Sequence, residues 1–441
     1  MFRFRGGIHP PASKELTRGK RIEEAPVPEV VAVPMIQHLG GPAIPKVSKG
    51  DDVKKGQLIG EASGFVSANV HSPVSGKVKA IEERTVYQGI ESPCIVVEND
   101  GREEWADDTN VERDTSSLSP KEIVEAVFEG GIVGMGGAAF PTHVKLTVPD
   151  DARIDVVILN GAECEPYQTC DHRLMVETPE TIIEGLLLAM RAVGAERGAV
   201  GIESNKPDAV KEMTRAAPSL ENVTVSSLPA RYPQGSEKQL IRAMVGREVP
   251  PGKLPLHVGA VVQNVGTAHA VHQAVAWNRP LIERVVTVTG DGVSKPGNYL
   301  TRIGEIASEL LEHAGLKPGI RKLIAGGPMM GIAQRSAEFP VAKGVTSLLA
   351  LMEARPSDWQ ACIRCGRCVE ACPMGLMPCD LSVLIESREY DEAEKANVLD
   401  CFECGCCTYV CPARRPIVQM VKLAKAELAK AKKRKQGAKA G

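Results

Sequence analysis

Eight cysteines near the C-terminus of the chain fall into two runs of the same spacing, C-x2-C-x2-C-x3-C-P, at residues 362–373 and 401–412. This spacing is typical of 4Fe–4S clusters, because three close thiolates can hold three corners of one cubane. The fourth cysteine, followed by proline, turns toward the neighbouring cluster. The pattern predicts one cluster on Cys362, Cys365, Cys368 and Cys411, and a second on Cys401, Cys404, Cys407 and Cys372.

Zinc and disulfides are the alternatives for these cysteines. Zinc sites use C-x2-C pairs but rarely a third cysteine two residues further on. The N-terminal residues contain no apolar signal segment, which favours a compartment in which thiols stay reduced. The register leaves Cys379 and Cys406 outside the ligand sets, and Cys94, Cys164 and Cys170 are predicted to be structural thiols. Because 4Fe–4S clusters carry single electrons, the chain is expected to be part of an electron-transfer route.

Length and composition bound the class of protein. A chain of 441 residues is long enough for roughly three domains. The net charge of −2 gives no electrostatic reason to expect nucleic acid, and an aromatic content of 4% argues against base-stacking surfaces. No apolar stretch approaches the length of a membrane span, so we expect the chain to be soluble or peripheral on another assembly.

Residues 1–105 are predicted to be rich in β-strands, because glycine and proline turn signals separate short β-branched runs. Within them, residues 47–60 and 71–78 resemble the two halves of the biotinyl/lipoyl-carrier hybrid barrel. That family carries a modified lysine on the hairpin between the halves, where this chain has none. The barrel is therefore expected without swinging-arm chemistry. Residues 106–118 are acidic and rich in Ser and Thr, and are predicted to be a linker.

Residues 119–280 alternate between predicted strands and helices, which is typical of an α/β domain with a largely parallel sheet. Ser119, Pro120 and Glu122 supply an N-cap, a proline at the first helical position and an acid at the third. The predicted helices cover residues 119–129, 179–193 and 206–217, and the predicted strands cover residues 154–159, 199–202 and 223–225.

The last third of the chain divides into three predicted segments. Residues 281–333 return to strands and turns around a helix at about 303–314, which predicts a small grasp-like module. The cluster region covers residues 355–415, where the helical pattern of Asp380–Ala396 separates the two cysteine runs. Residues 416–441 are predicted to form a helix that becomes basic, and this tail either lies on an anionic membrane surface or stays in solvent.

A glycine-rich loop follows the first predicted helix. Residues 130–137 contain five glycines, and residues 134–139 match G-x-G-x-x-A, the dinucleotide fingerprint. That fingerprint must follow a strand, whereas a helix precedes this loop, so we exclude an ordinary Rossmann site. The glycines would let backbone N–H groups approach a flat ring or a phosphate closely. A purely structural turn is the alternative.

Polar residues gather near predicted strand ends, where α/β sheets bind ligands. Lys145 follows the glycine loop, and residues 160–166 follow a predicted strand. Residues 232–240 and 262–267 carry further polar side chains. Together with the glycine loop, these segments predict one ligand site.

The glycine loop and the polar segments resemble the NADH-binding flavoprotein subunit of respiratory complex I. The order of motifs along the chain, including residues 4–10 and 37–40, more closely resembles the C subunit of the Rnf complex, a ferredoxin:NAD+ oxidoreductase. The resemblance implies a multidomain α+β and α/β protein. Its parts would be a β hybrid barrel, an α/β FMN/NADH-binding domain, a β-grasp-like SLBB module and a helical ferredoxin-type domain with two 4Fe–4S clusters.

The resemblance also implies which residues contact FMN. Four residues of the glycine loop would carry the flavin, with a lysine near its phosphate or ring: Gly134, Gly136, Gly137, Ala138 and then Lys145. Five further residues would contact the isoalloxazine or the ribityl phosphate: Asn160 and Glu163 for the ring, and Gly235, Asn264 and Thr267 for the phosphate.

Three residues are implied for NAD(H). Phe140 would stack on the nicotinamide or adenine, while Glu165 and Glu237 would meet ribose or amide groups. For Glu163, Glu165 and Glu237, solvated loop acids are the alternative. The sequence departs from the complex I pattern at Met135, Ala162 and Ser236, which implies a differently tuned flavin potential or weaker FMN retention.

The implied function is that of a peripheral, NAD(H)-reacting subunit of a membrane ion-translocating oxidoreductase. Hydride would pass between NADH and FMN, and single electrons between FMN and the clusters, with no side chain as acid or base. The implied partners are other subunits of the complex, including an iron–sulfur subunit, and ferredoxin indirectly. The implied location is the cytoplasmic face of the bacterial membrane. A cobalamin reductase with FMN and two clusters, and a non-catalytic electron relay, are the alternatives.

Overall fold

The computed structural model describes residues 3–217, 222–354 and 358–440. Its strands form four sheets. The strands are β1 (Ile22–Glu24), β2 (Val30–Pro34), β3 (Ile44–Pro45), β4 (Asp52–Val53), β5 (Leu58–Glu61), β6 (Val70–His71), β7 (Gly76–Thr85), β8 (Glu91–Asn99), β9 (Val156–Gly161), β10 (Arg197–Glu203), β11 (Val223–Leu228), β12 (Ala260–Asn264), β13 (Glu283–Thr289), β14 (Gly297–Arg302), β15 (Lys322–Ala325), β16 (Ile332–Gln334) and β17 (Ser347–Leu351).

Thirteen α-helices accompany these strands in the described residues. They are α1 (Pro120–Glu129), α2 (Thr142–Leu146), α3 (Cys170–Glu177), α4 (Pro179–Val193), α5 (Pro207–Ala216), α6 (Glu237–Val245), α7 (Val265–Trp277), α8 (Ala307–His313), α9 (Arg367–Ala371), α10 (Pro378–Glu386), α11 (Tyr390–Lys395), α12 (Cys406–Tyr409) and α13 (Ile417–Ala440). Within the described ranges, no helix is both long and apolar enough to cross a lipid bilayer.

The N-terminal barrel is made of two antiparallel sheets, ordered β2-β8-β7-β4 and β3-β5-β6. Their facing side chains form one apolar core that includes Val31, Ile59, Val78 and Ile95, all 1% exposed or less. The hairpin between β5 and β6 reaches the next domain, because the carbonyl of Phe65 accepts a hydrogen bond of 2.9 Å from the His143 ring. The predicted hybrid barrel is therefore confirmed, and its hairpin serves as a contact surface.

The central sheet has the order β11-β10-β9-β12, and every pair in it is parallel. Helices α1, α4 and α7 cover one face through a large apolar core, and α6 covers the other. The predicted capping box at the start of α1 is present, with the Glu122 carboxylate accepting a 2.7 Å hydrogen bond from the backbone N–H of Ser119. The predicted parallel α/β sheet and the helix at 179–193 are confirmed.

The third domain is larger than the sequence predicted. Its six-stranded sheet has the order β1-β14-β13-β17-β15-β16. The outer strand β1 comes from the N-terminal segment and pairs in parallel with β14, and β17 joins from beyond residue 333. The sequence did not predict either strand in this sheet, because each pairs with a segment that is distant along the chain. The helix expected from residue 303 begins only at Ala307, because Gly304 adopts a left-handed φ of +95°.

The C-terminal domain is helical, as predicted. The single helical pattern expected over Asp380–Ala396 is instead two helices, α10 and α11. They separate at Arg388, whose φ of +60° is left-handed and ends a right-handed helix. Helix α13 packs across both through apolar residues such as Val421 and Leu428. The tail is thus a structural part of this domain over its first turns.

A buried lysine joins the barrel, the glycine loop and the third domain. Lys343 is 0% exposed, and its Nζ donates hydrogen bonds of 2.7 Å to the Asn69 carbonyl and 2.8 Å to the Gly131 carbonyl. Burial lowers the pKa of Lys343 to about 7. A neutral amine has two N–H donors, which matches the two carbonyls. One side chain therefore connects three regions that are far apart in sequence.

Replacing Lys343 by Met should change how stability depends on pH. Because the folded pKa of about 7 lies below the ordinary 10.5, the folded state binds fewer protons between these values. Wild-type stability should therefore rise from pH 7 to pH 9 by about 2 kcal/mol relative to the variant. Anaerobic melting of both proteins at several pH values measures the difference. The nearby His38 and His71 do not titrate in this window, because burial lowers their pKa values to about 4 and about 3.

Lys79→Met is the matched control, since Lys79 makes an exposed ion pair with Glu98 on the barrel surface. It should leave the pH dependence as in the wild type. If Lys343→Met kept the wild-type slope as well, Lys343 would be charged in the fold across the whole range.

Candidate cofactor sites

Two cavities in the C-terminal domain are lined by cysteines. The outer cavity is lined by Cys362, Ile363, Cys365, Gly366, Cys368, Cys379, Ser382, Cys411, Pro412, Ala413, Arg415 and Ile417. The inner cavity is lined by Cys372, Pro373, Met374, Leu376, Pro378, Leu381, Cys401, Phe402, Cys404, Gly405, Cys406, Cys407, Ile417, Val418 and Val421. Each predicted ligand set lies around one cavity, including the crossed Cys372 and Cys411. Cys379 and Cys406, which the register left out, also line them.

The two cysteine loops have the same backbone. Arg364 and Glu403 occupy the same place after the first cysteine, both with positive φ, and each N–H donates to that cysteine's sulfur at 3.4 Å. Gly366 and Gly405 follow at the second, with φ of +76° and +83°, and open short helices. These left-handed residues turn the loop so that its sulfurs face one space.

The donor set fits iron–sulfur clusters. The lining of both cavities consists of thiols and apolar side chains, with Ser382 and Arg415 added at the outer cavity, and among the described residues it contains no carboxylate. Soft thiolates without oxygen ligands are the set that iron–sulfur clusters use. In the described residues no group of three or more His, Cys, Asp or Glu could hold a single metal ion. The ligands of a four-iron cluster lie farther apart than the ligands of a single metal ion, so this finding is compatible with iron–sulfur clusters.

The flavin residues predicted from the sequence meet at the carboxyl edge of the central sheet. Asn160, the penultimate residue of β9, lies in direct register with Asn264, the last residue of the adjacent strand β12. The glycine loop lies over Asn264, since a Cβ on Gly136 would stand 3.3 Å from that side chain. The backbone N–H of Met135 donates a 2.8 Å hydrogen bond to Thr267 Oγ1. Loop and sheet edge therefore form one site.

The loop offers its backbone to a ligand. Gly136, Gly137 and Ala138 are exposed, and a Cβ on Gly137 would meet open space. The N–H of Gly134 is used within the loop, because it donates a 2.8 Å hydrogen bond to the carbonyl of Phe140, which is itself half-buried. This is the cradle that a flat ring or phosphate needs.

Two polar contacts complete the edge. Asn160 Nδ2 donates a 2.7 Å hydrogen bond to the Gly235 carbonyl. Lys145 Nζ lies 2.6 Å from Glu237 Oε1 and donates to the Val262 carbonyl at 3.1 Å. The segment after β11 is thereby drawn over the strand ends.

Asn264 has a structural role in addition. Its Oδ1 accepts hydrogen bonds of 2.8 Å from the Gly266 N–H and 3.4 Å from the Thr267 N–H, so it caps α7. The N-terminus of α7 thus lies at the sheet edge where the ribityl phosphate is expected, a place that favours an anion. The cap and the predicted phosphate contact share the same few residues.

Glu163 and Asp171 form a buried acidic pair behind the edge. Glu163 Oε1 accepts a 2.8 Å hydrogen bond from the Asp171 N–H, and Asn264 Nδ2 donates to Asp171 Oδ2 at 2.6 Å. Burial raises the pKa of Asp171 to about 7, and the Glu163 carboxylate adds to the rise. Glu163 is therefore not a solvated loop acid.

Three buried polar atoms in the site's segments have no hydrogen-bond partner among the described residues: Glu163 Oε2, Gln234 Nε2 and Gln263 Nε2. The nearest cation to Glu163 Oε2 is Lys14 Nζ at 3.7 Å. Because unpaired buried polar atoms are costly, free acceptors and donors here fit a polar ligand such as FMN. Gln234 and Gln263 stand beside the predicted Gly235 and Asn264 and were not singled out in the sequence.

Glu165 is placed apart from Lys145 and Glu237. Its carboxylate accepts hydrogen bonds of 3.1 Å from the Met329 N–H and 2.8 Å from the Met330 N–H, in the loop between β15 and β16. Burial raises the pKa of Glu165 to about 7. Contact of Glu165 with NAD(H) stays a prediction, and in the structure this residue connects the central domain to the third.

Two buried lysines hold the loop after β9, and sequence reasoning missed both. Lys14 Nζ donates to the carbonyls of Glu163, Glu165 and Gln168 at 2.9, 2.9 and 2.5 Å. Lys206 Nζ donates to the Ala162 carbonyl at 2.6 Å. Lysine is rarely buried, so no local pattern singles these residues out.

Fold and sites together define an electron-transfer protein with a flavin cradle and two iron–sulfur cavities. Four family models match in order: the RnfC barrel sandwich hybrid domain at 2–102, the Nuo51 FMN-binding domain at 127–273, the SLBB domain at 285–333 and the 4Fe-4S dicluster domain at 357–412.

Two curated relatives match along nearly their whole length. The chain is 47% identical to the C subunit of the proton-translocating ferredoxin:NAD(+) oxidoreductase complex of Clostridium ljungdahlii, over 96% of this chain and 93% of that protein. It is 43% identical to the C subunit of the Na(+)-translocating complex of Acetobacterium woodii, over 96% and 97%. The chain belongs to the family of C subunits of ion-translocating ferredoxin:NAD+ oxidoreductase complexes, which confirms the resemblance seen in the sequence.

A solved structure shares the fold. An NAD+-reducing [NiFe]-hydrogenase in the H2-reduced state is 20% identical, with a TM-score of 0.50 over 74% of this chain and 68% of the other.

Replacing Lys14 by Met should loosen the loop after β9, because three carbonyls lose their common donor. Amide hydrogen exchange at residues 162–168 should speed up roughly tenfold, equivalent to about 1.4 kcal/mol of local stability. Mass spectrometry of hydrogen exchange measures it. Lys20→Met is the control, since the Nζ of the exposed Lys20 donates to the Pro296 carbonyl and not to the loop after β9. Equal rates of hydrogen exchange at residues 162–168 in both variants would show that Lys14 does not stabilise this loop.

Proposed function

We propose that this chain is the NAD(H)-reacting subunit of a membrane-bound, ion-translocating ferredoxin:NAD+ oxidoreductase complex, attached at the cytoplasmic face of the bacterial membrane. The relatives that are 47% and 43% identical to it are named as C subunits of such complexes, one proton-translocating and one Na(+)-translocating. Its partners would be the other subunits, including an iron–sulfur subunit, with ferredoxin as a more distant electron donor or acceptor.

One observation carries the proposal: a single segment contacts both kinds of site. Tyr232 donates a 2.6 Å hydrogen bond from its hydroxyl to the carbonyl of Cys404, at the inner cavity. Three residues later the Gly235 carbonyl accepts a hydrogen bond from Asn160. This contact lies at the carboxyl edge of the central sheet where FMN is proposed to bind, the flavin edge. Gln239 Nε2 then donates to the Pro373 carbonyl at 3.2 Å, again beside the inner cavity. Flavin edge and inner cavity are therefore held together by a few residues.

In this proposal the residues at the sheet edge hold FMN. The exposed backbone of Gly136, Gly137 and Ala138 would lie against the flavin, and the N-terminus of α7 at Thr267 would face its phosphate. When bound, FMN exchanges hydride with NAD(H) and single electrons with iron–sulfur clusters. The chain's own task is to bind, orient and exclude water.

The cysteines are proposed to hold two 4Fe–4S clusters in the predicted sets. The outer cavity would use Cys362, Cys365, Cys368 and Cys411, and the inner cavity would use Cys372, Cys401, Cys404 and Cys407. Ile417 is 1% exposed and lines both cavities, so the two clusters would be separated by little more than one side chain.

NAD(H) is proposed to bind over the exposed side of the glycine loop. The Lys145–Glu237 pair is about one third exposed and lies at that edge, where it can meet ribose or amide groups. Phe140 would stack on a ring of the nucleotide. Cobalamin reduction is not favoured, because the two relatives that match along nearly their whole length are named as subunits of ferredoxin:NAD(+) oxidoreductase complexes.

The test is anaerobic reconstitution of the full chain with FMN, iron and sulfide. We expect about one FMN and about eight irons per chain, and NADH should bleach the flavin and reduce the clusters, seen by EPR. Zinc in place of iron, or no bound flavin, would contradict the proposal. Bound iron with no bound flavin would support the electron-relay alternative.

Matched cysteine variants sharpen the test. Cys365→Ser should lose only the outer cluster and keep NADH reduction of the inner one. Cys404→Ser should lose the inner cluster, so the outer one should be reduced by dithionite but slowly by NADH. Cys94→Ser is the control, because Cys94 is 0% exposed in a small apolar cluster with Ala32 and Val96 in the N-terminal domain and lines neither cavity.

A further inference from the structure

The two cluster loops can be compared position by position. Each runs from its first cysteine through a left-handed residue to a left-handed glycine and a short helix. The fourth cysteine of each run is followed four residues later by a side chain that lines the cavity opposite, Leu376 for the inner cavity and Arg415 for the outer. Because the backbone is the same, differences between the cavities lie in the side chains.

The side chains at these matched positions differ in charge. Arg364 stands where the inner loop has Glu403, and Arg367 stands where it has the buried Cys406. Within the described residues Arg364 and Arg367 are joined to no carboxylate, while Glu403 Oε1 pairs with Lys425 at 2.8 Å. Glu403 also lies 3.9 Å from Lys422, and the outer loop also carries Glu370. The two loops therefore have similar net charge, and the difference between them lies in which charged side chain lines a cavity.

Arg415 is the charge nearest to the outer cluster site. It is 1% exposed and is the only charged side chain that lines either cavity in the described residues. Its guanidinium pairs with Glu386 Oε2 at 2.5 Å and donates to the Ser382 carbonyl at 3.4 Å. The Glu386 side chain is 46% exposed, so water screens the carboxylate more than it screens the buried cation.

Solvent exposure differs in the same direction. At the outer cavity Cys365 is exposed and Ile363 is 67% exposed. At the inner cavity Cys372, Cys404 and Cys407 are buried. Positive charge and solvent both stabilise the reduced, more negative state of a cluster, and both raise its reduction potential.

We propose that Arg415 holds the reduction potential of the outer cluster above that of the inner cluster. This inference rests on the proposed function, because it assumes that both cavities hold 4Fe–4S clusters. When the pair holds one electron, that electron resides on the outer cluster, away from the flavin edge. Its arrival there oxidises the inner cluster by one electron and reduces the outer by one. Electrons therefore collect at the exposed end of the chain, where a partner can take or give them.

The test is an anaerobic redox titration of the reconstituted full chain, followed by EPR. The wild type should show two reduction waves. Arg415→Met should move the higher wave to lower potential and leave the lower wave in place. The ratio of reduced outer to reduced inner cluster should fall roughly tenfold, which is about 59 mV for one electron. Arg415→Lys should leave the higher wave near its wild-type potential, because it keeps the positive charge.

Two further variants keep the test decisive if Arg415→Met loses iron. Glu386→Gln removes the counter-charge and should move the higher wave upward. Glu403→Gln, the matched change at the inner loop, should move only the lower wave upward. Movement of the lower wave by Arg415→Met or Glu386→Gln, or no movement with full iron content, would overturn the proposal. Failure of the wild type to take up iron would instead contradict the proposed function itself.

Discussion

Buried lysine side chains that donate to backbone carbonyls hold this molecule together. Lys343 joins the Asn69 and Gly131 carbonyls, Lys14 gathers three carbonyls of the loop after β9, and Lys206 takes a fourth from Ala162. Removing a polar amine or ammonium group from water is costly unless its N–H donors are satisfied, so each lysine fixes the loops that satisfy it. Two of these loops, the one after β9 and the glycine loop, carry residues that are predicted to contact FMN.

The placement of the two sites follows from the segment between β11 and α6. The Tyr232 hydroxyl donates a hydrogen bond to the Cys404 carbonyl at the inner cavity. The Gly235 carbonyl accepts one from Asn160 at the ends of the central strands. A Cβ on Gly235 would come within 3.2 Å of the Cys164 sulfur, which leaves little room for a larger residue. One short segment therefore contacts both the inner cavity and the carboxyl edge of the central sheet.

Much of the fold was predictable because its signals are local. The capping box of Ser119 and Glu122, the helix of residues 179–193 and the parallel strands of the central sheet were predicted from periodicity and caps. The additions of β1 and β17 to the third sheet were not, because strand pairing between distant segments leaves no local pattern. The break at Arg388 was hidden for a related reason, since non-glycine residues seldom adopt a left-handed φ.

Cysteine spacing alone determined the two ligand sets proposed here, and the order of motifs determined the family, because both are patterns along the chain that do not depend on which segments pack together. Only the tertiary structure decided that Arg415 lines one cavity while Leu376 lines the other, and that Glu165 turns to the Met329–Met330 loop. It also decided that three lysines are buried. The reason is physical: burial and pairing depend on which distant segments pack together, and a charged residue looks the same in sequence whether water or protein surrounds it.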